Sequence, residues 1–101
     1  MVQAGVYASL MHYFKALEAM GGNPHDGAKV VAKMKEMPTD DPLFGKGLIQ
    51  PNGRKIQPAY LFEVKKPAES TKPWDYYKLI KKLPGDSVFT TKAESKCQHW
   101  K

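Results

Sequence analysis

Cysteine is almost absent: Cys97 is the only one in 101 residues, so no disulfide framework can close within the chain. Arginine is equally scarce, with Arg54 alone. Residues 1–50 carry as many acids as lysines, and the whole net charge of +6 falls in residues 51–101. A basic half raises nucleic acid or another polyanion as a partner. Phosphate readers lean on Arg, however, and these lysines are scattered singly or in pairs, as on a solvated face. No apolar run is long enough to span a bilayer. Met1 runs into Val2-Gln3-Ala4 without a basic leader or a cleavage site, so no export signal is expected in the sequence as written.

Catalytic signatures are missing too. Gly21-Gly22 reads as a helix stop and Gly45-Lys46-Gly47 as a strand entry, which leaves no glycine-rich phosphate cradle. Ser9, Ser70, Ser87 and Ser95 have no nucleophile elbow around them. His12, His25 and His99 lack the spacing of a metal pair, and Cys97-Gln98-His99 lacks further ligands. His12 reads as a surface residue. Asp40 and Asp41 are adjacent carboxylates with no third acid nearby, and read as a solvated loop. No enzyme, metal site or cofactor is expected.

What is present begins with a helix over Val2–Met20, ended by the glycine pair. Val6, Leu10, Tyr13, Leu17 and Met20 recur at three- and four-residue steps, with Tyr7, Met11 and Phe14 alongside. Together they cover about half the circumference, wider than the usual stripe of a surface helix. The other side is small: Ala8, Ser9, His12, Lys15, Ala16 and Ala19. Such a helix calls for a sheet on one side and a close neighbour on the other, and 101 residues do not obviously supply both.

A second helix is expected after Asn23 as N-cap, with Pro24 in its first turn and Pro38 at its end. Its apolar stripe is Val30, Val31, Met34 and Met37. Thr39 to Pro42 is predicted to be a loop. The stretch from Gly45 to Val64 organises the chain: Leu48–Gln50 and Tyr60–Val64 read as the two strands of a hairpin. Asn52-Gly53 supplies the turn between them. In the second strand Tyr60, Phe62 and Val64 share one face, and Pro58 belongs at a bulge or an edge.

Lys65 to Pro73 is a polar connector. The run from Trp74 to Leu83 fits a helix through Trp74, Tyr77, Ile80 and Leu83, or a strand through Tyr77, Leu79 and Leu83. Trp74, Tyr76 and Tyr77 beside Lys72 and Lys78 could stack bases, although packing against a partner element is the stronger expectation for aromatics. The tail has Phe89 and Trp100 as its large anchors.

Taken in order, the blocks GVYASLMHYFKALEAMG, AKVVAKMKEMP, FGKGLIQPNGRKIQPAYLFEVKKPAES and KPWDYYKLIKKLPGDSVF, with an ESKC tail, resemble the C-terminus of one family. It is the periplasmic solute-binding proteins of ABC importers, of the branched-chain amino-acid-binding type. The resemblance runs from Val2 to about Cys97. It implies an α/β fold, part of the type I periplasmic-binding fold, in which two lobes joined by three crossings hold a solute in the cleft. Residues 2–66 would belong to one lobe, and residues 67–101 would form the last crossing and a tail, which favours extended structure at Lys72–Leu83. The breadth of the first helix's apolar face would follow from a parallel sheet supplied by another part of the polypeptide.

Family members are several times longer, so most of both lobes would lie outside these residues. The resemblance implies capture of amino acids or related small polar solutes, delivery to a permease, a periplasmic location and no chemistry. Val2, Gln3 and Tyr7, at the helix start, would contact the solute, and any bridge at Cys97 would need a partner from elsewhere. The readings beside this one are a small basic protein that binds nucleic acid or another polyanion, and a self-associating homodimer.

Overall fold

The computed structural model describes residues 2–98 and 100. Helix α1 spans Val2–Ala19. It stops where Gly21 and Gly22 take positive φ angles, 76° and 82°. The Gly22 N–H then donates to Leu17 O and the Gly21 N–H to Glu18 O, the paired bonds of a Schellman stop. Helix α2 covers Gly27–Glu36, and its N-cap is Asp26, whose carboxylate accepts the Lys29 N–H. Asn23, the expected cap, instead folds a local turn by accepting the His25 N–H. The helix therefore starts three residues later than the sequence pattern predicts.

Thr39–Asp41 forms β1, Gly45–Ile49 forms β2 and Lys55–Ile56 forms β3, an antiparallel sheet in the order β1-β2-β3. The predicted loop at Thr39–Asp41 is thus a strand: its ladder to β2 outweighs the poor strand propensity of Asp. The expected turn is present, with Gly53 at φ 84° and its N–H bonded to Gln50 O. Its return strand is Lys55–Ile56, not Tyr60–Val64. Pro58 has no N–H to continue the ladder, and the chain leaves the sheet there.

Ala59–Val64 forms β4, which pairs with β5, Tyr77–Leu83, in a separate antiparallel ribbon. The register jumps between Leu61 opposite Lys81 and Phe62 opposite Leu79, leaving Ile80 as a bulge. That extra residue explains the double pattern in the sequence, because it breaks the strand's two-residue period into a helix-like three-residue step. The connector between the strands is held by an ion pair of 2.7 Å between Lys65 and Asp75. Asp75 also accepts the Thr71 N–H, and these bonds, the one from Lys65 first, hold its carboxyl below the ordinary range.

The covered side of α1 is the small one, not its broad apolar face. Ala8, His12 and Ala16 are its buried residues; they pack toward α2 and β1. The large residues Val6, Tyr7, Leu10 and Phe14 face outward, Phe14 at 54% exposure. Beyond Ala8 and Ala16, Val30 is the only buried apolar residue among those described; Val31, counted in its stripe, is exposed. The radius of gyration is 17.0 Å, against about 13 Å for a compact domain of this length. The accessible surface is 7940 Å², whereas a compact monomer of 11.4 kDa exposes about 5,800 Å². The surplus, about 2,000 Å², is the scale of a stable protein interface. Among the described residues, no helix is long and apolar enough to cross a membrane.

Candidate functional site

Val2, Gln3 and Tyr7 lie on the first two turns of α1 and are all exposed. Gln3 and Tyr7, four residues apart, share a face, and Tyr7 belongs to the outward apolar surface. The first four N–H groups of a helix have no partner within it, and they form its positive end. No acid occupies the first turn of α1.

Behind this face, His12 corrects the surface assignment made from its polar character. The residue is only 5% exposed. The Nε2–H donates to Met34 O over 2.7 Å, satisfying one of the carbonyls that the last turn of α2 leaves open. A sequence signal for this existed: Ala8, His12 and Ala16 recur every four residues, a small stripe that lets a second helix approach closely. Lys15 and Lys35 make similar ties, donating to Asp40 O and Pro51 O at 2.7 Å each.

Asp41 is also buried, contrary to the solvated-loop expectation. One carboxylate oxygen accepts the Leu43 and Phe44 N–H groups at 2.9 and 2.8 Å, and the other meets the Lys55 ammonium at 2.9 Å. Burial pushes this carboxyl up, but the Lys55 contact and the two backbone N–H groups outweigh it and hold it below the usual range. Lys55 in turn lies 4.9 Å from the centre of the Phe44 ring. This cluster pins the β1–β2 turn to β3. Asp40 is exposed and points to no shared site with Asp41.

The remaining sequence candidates are dispersed. Trp74 is 84% exposed, and Tyr76 and Tyr77 are exposed with it, although the Tyr77 ring meets that of Phe62 on β4 at 6.1 Å. Trp74 has φ 68°, a left-handed conformation costly for a bulky side chain, and it meets Tyr76 edge-on at 6.0 Å. Along β5, Lys78 stands opposite Glu63, and Lys82 lies 5.8 Å from the Tyr60 ring centre. Cys97 is an exposed free thiol. His25 is exposed, and His99 lies outside the described residues. Among the described residues, no group of three His, Cys, Asp or Glu side chains could hold a metal ion.

Comparison with known proteins gives a consistent result. The sequence model of the periplasmic binding protein family matches residues 1–71. The chain is similar to the crystal structure of a periplasmic binding protein from Burkholderia mallei, with 47% identity and a TM-score of 0.86. That match covers 94% of this chain and 24% of the other. It is also similar to a branched-chain amino acid ABC transporter periplasmic ligand-binding protein from Burkholderia xenovorans, with 34% identity and a TM-score of 0.89. Here 98% of this chain and 26% of the other are covered. The chain therefore spans about a quarter of the length of the solved structures it matches. No curated protein matches it.

Proposed function

The chain belongs to the periplasmic binding protein family, and from that premise we propose that it is one part of a two-lobed protein that captures a small solute for an ABC importer. Residues 2–66 contribute to one lobe, and residues 67–101 form the last crossing and the tail. The observation that carries this reading is the outward apolar face of α1, Val6, Leu10 and Phe14. It is the side that a lobe's parallel sheet would cover, and the surplus surface of about 2,000 Å² matches an interface of that kind.

In this reading the solute is an amino acid or a related small carboxylate or amide. The Burkholderia xenovorans relative, named for branched-chain amino acids, supports that class. Val2, Gln3 and Tyr7 contact the solute. Contacts from both lobes make the closed form bind more tightly than the open one, which is what drives closure. No bond is made or broken. The assembled protein works in the periplasm, and its permease takes the released solute.

The test is calorimetry with leucine, using this chain, the remaining portion of the Burkholderia xenovorans protein, and the two mixed. Saturable binding is expected in the mixture and absent from the chain alone, because one part of a lobe cannot close on a ligand. Micromolar binding of an amino acid by the isolated chain would overturn the proposal.

A further inference from the structure

The turn between β2 and β3 carries a reactive pair. Asn23 and Asn52 are the two asparagines of the chain. Asn23 precedes Pro24, whose nitrogen has no hydrogen to lose and cannot act as a nucleophile. Asn52 precedes Gly53, whose backbone nitrogen does carry a hydrogen and has no Cβ beside it to hinder approach. Such a nitrogen can attack the side-chain amide of the residue before it, one reason that asparagine is thermolabile.

The turn holds the reacting groups together. Oδ1 of Asn52 accepts the Arg54 N–H at 3.0 Å, which folds the side chain over the backbone that follows it. Attack on Cγ puts negative charge on Oδ1, and this N–H already lies within the reach of an oxyanion donor. Pro51, Gly53 and Arg54 are exposed, and Asn52 is half-buried. Asn52 borders a cavity of about 530 Å³ whose charged lining is Arg54, Lys55, Lys96 and Glu94. Three cations against one acid favour the developing charge. One bond opposes the reaction: the Gly53 N–H donates to Gln50 O at 2.8 Å, and it must be released before the nitrogen attacks. It belongs to an exposed turn, where local opening is easy.

We propose that Asn52-Gly53 is a self-modification site, at which asparagine is converted to aspartate and isoaspartate with water as the co-reactant. The Gly53 nitrogen gives its proton to hydroxide and bonds to Asn52 Cγ. The Cγ–Nδ2 bond breaks, and the nitrogen leaves as ammonia. Water then opens the cyclic imide. Cleavage at Cγ restores the original backbone with aspartate in place of Asn52, whereas cleavage at the backbone carbonyl routes the chain through the side chain as isoaspartate. One water is taken up and one ammonia released, with no oxidation. Aspartate before glycine still makes this turn. Isoaspartate lengthens the backbone inside the loop that the Gln50 N–H closes on Arg54 O at 2.9 Å. Strand β3 is only Lys55–Ile56, and Lys55 carries the ion pair to Asp41, so the longer turn loosens both. The site lies wholly within this chain and does not depend on how the lobe is completed.

The test is incubation of the full chain at mildly alkaline pH, with peptide mass mapping over time and ammonia assayed in parallel. The peptide holding Asn52 should gain the mass of an amide-to-acid exchange, as two chromatographic species and faster at higher pH, while the one holding Asn23 stays unchanged. The rate in the folded chain should lie within about tenfold of that in urea, because one turn bond restrains it. Gly53→Ala should slow conversion in urea too, where folding plays no part. The purified isoaspartyl form should unfold at lower urea than wild type, whereas Asn52→Asp should match wild type. A folded chain that stays intact while the urea-unfolded chain converts fully would overturn the proposal, as would equal conversion at Asn23. An isoaspartyl form as stable as wild type would overturn the effect assigned to β3.

Discussion

Asp41 offers a sharp test of how the sheet is held, because three bonds converge on one buried carboxylate. Asp41→Ala removes all of them and leaves the Lys55 ammonium without its partner. Bonds to a charged group contribute about 1.5–3 kcal/mol each and do not add fully, so the loss should be about 3 kcal/mol. With a urea slope near ~1.5 kcal/mol/M, that lowers the unfolding midpoint by about 2 M. Asp41→Asn can still accept from Leu43 and Phe44 but loses the charge, and should cost about 1 kcal/mol.

The same carboxyl predicts a pH dependence. Its folded value lies below the ordinary one, which is about 3.9 in an unfolded chain. Its stabilisation is therefore complete above that value and disappears as pH falls through the depressed folded value. The stability gap between wild type and Asp41→Asn should be full at neutral pH and should close under acid. Urea titrations by circular dichroism at neutral and acid pH measure both. A gap that stays constant with pH, or no gap at all, would refute the assignment of Asp41 as a charged pin.

Three further outcomes are expected. Gly47→Ala should destabilise by about 1–3 kcal/mol, because its Cβ would collide with Ile56 O and lie 2.9 Å from Thr39 Oγ1. Gly5→Ala, which meets open space on α1, should instead stabilise by about 0.5–1 kcal/mol; thermal melts of the two variants read the opposite signs. Leu10→Gln with Phe14→Gln should change the isolated chain's stability by no more than about 0.5 kcal/mol each while lowering its binding of an apolar dye, whereas Ala16→Leu, at a site with no exposure, should unfold it more easily. Asp26→Ala should remove about 1 kcal/mol and the helical signal of α2, while Asn23→Ala should leave that helix in place.

The sequence pattern was most informative where local chemistry decides the outcome. The Gly21-Gly22 stop, the Asn52-Gly53 turn and the Pro38 boundary are all fixed within a few residues of chain, and each is where the pattern puts it. Strand partners are not local. Tyr60–Val64 looks like the return arm of a hairpin, but Lys55–Ile56 completes the sheet first, and β4 pairs with β5 across the connector. The same limit explains α1. Its hydrophobic pattern identifies the side suited to a large core, yet these residues bring only α2 and the small sheet to it, and those pack on Ala8, His12 and Ala16. His12 and Asp41 depart from the pattern for one reason: polarity suggests solvent, while burial depends on what lies opposite. The solute contacts rest on resemblance alone, since an exposed helix end carries no pattern of its own.

The account turns on what covers the large residues of α1, and cysteine reactivity measures that directly. In a Cys97→Ser background, Leu10→Cys would be alkylated first in the isolated chain, then with the remaining portion of the Burkholderia xenovorans protein present. The account predicts rapid labelling alone and strong protection once the two portions are combined. Equal rates in the two samples, with the portions associated, would mean that this face remains open to solvent, and would contradict the assignment of α1 to the interior of a lobe.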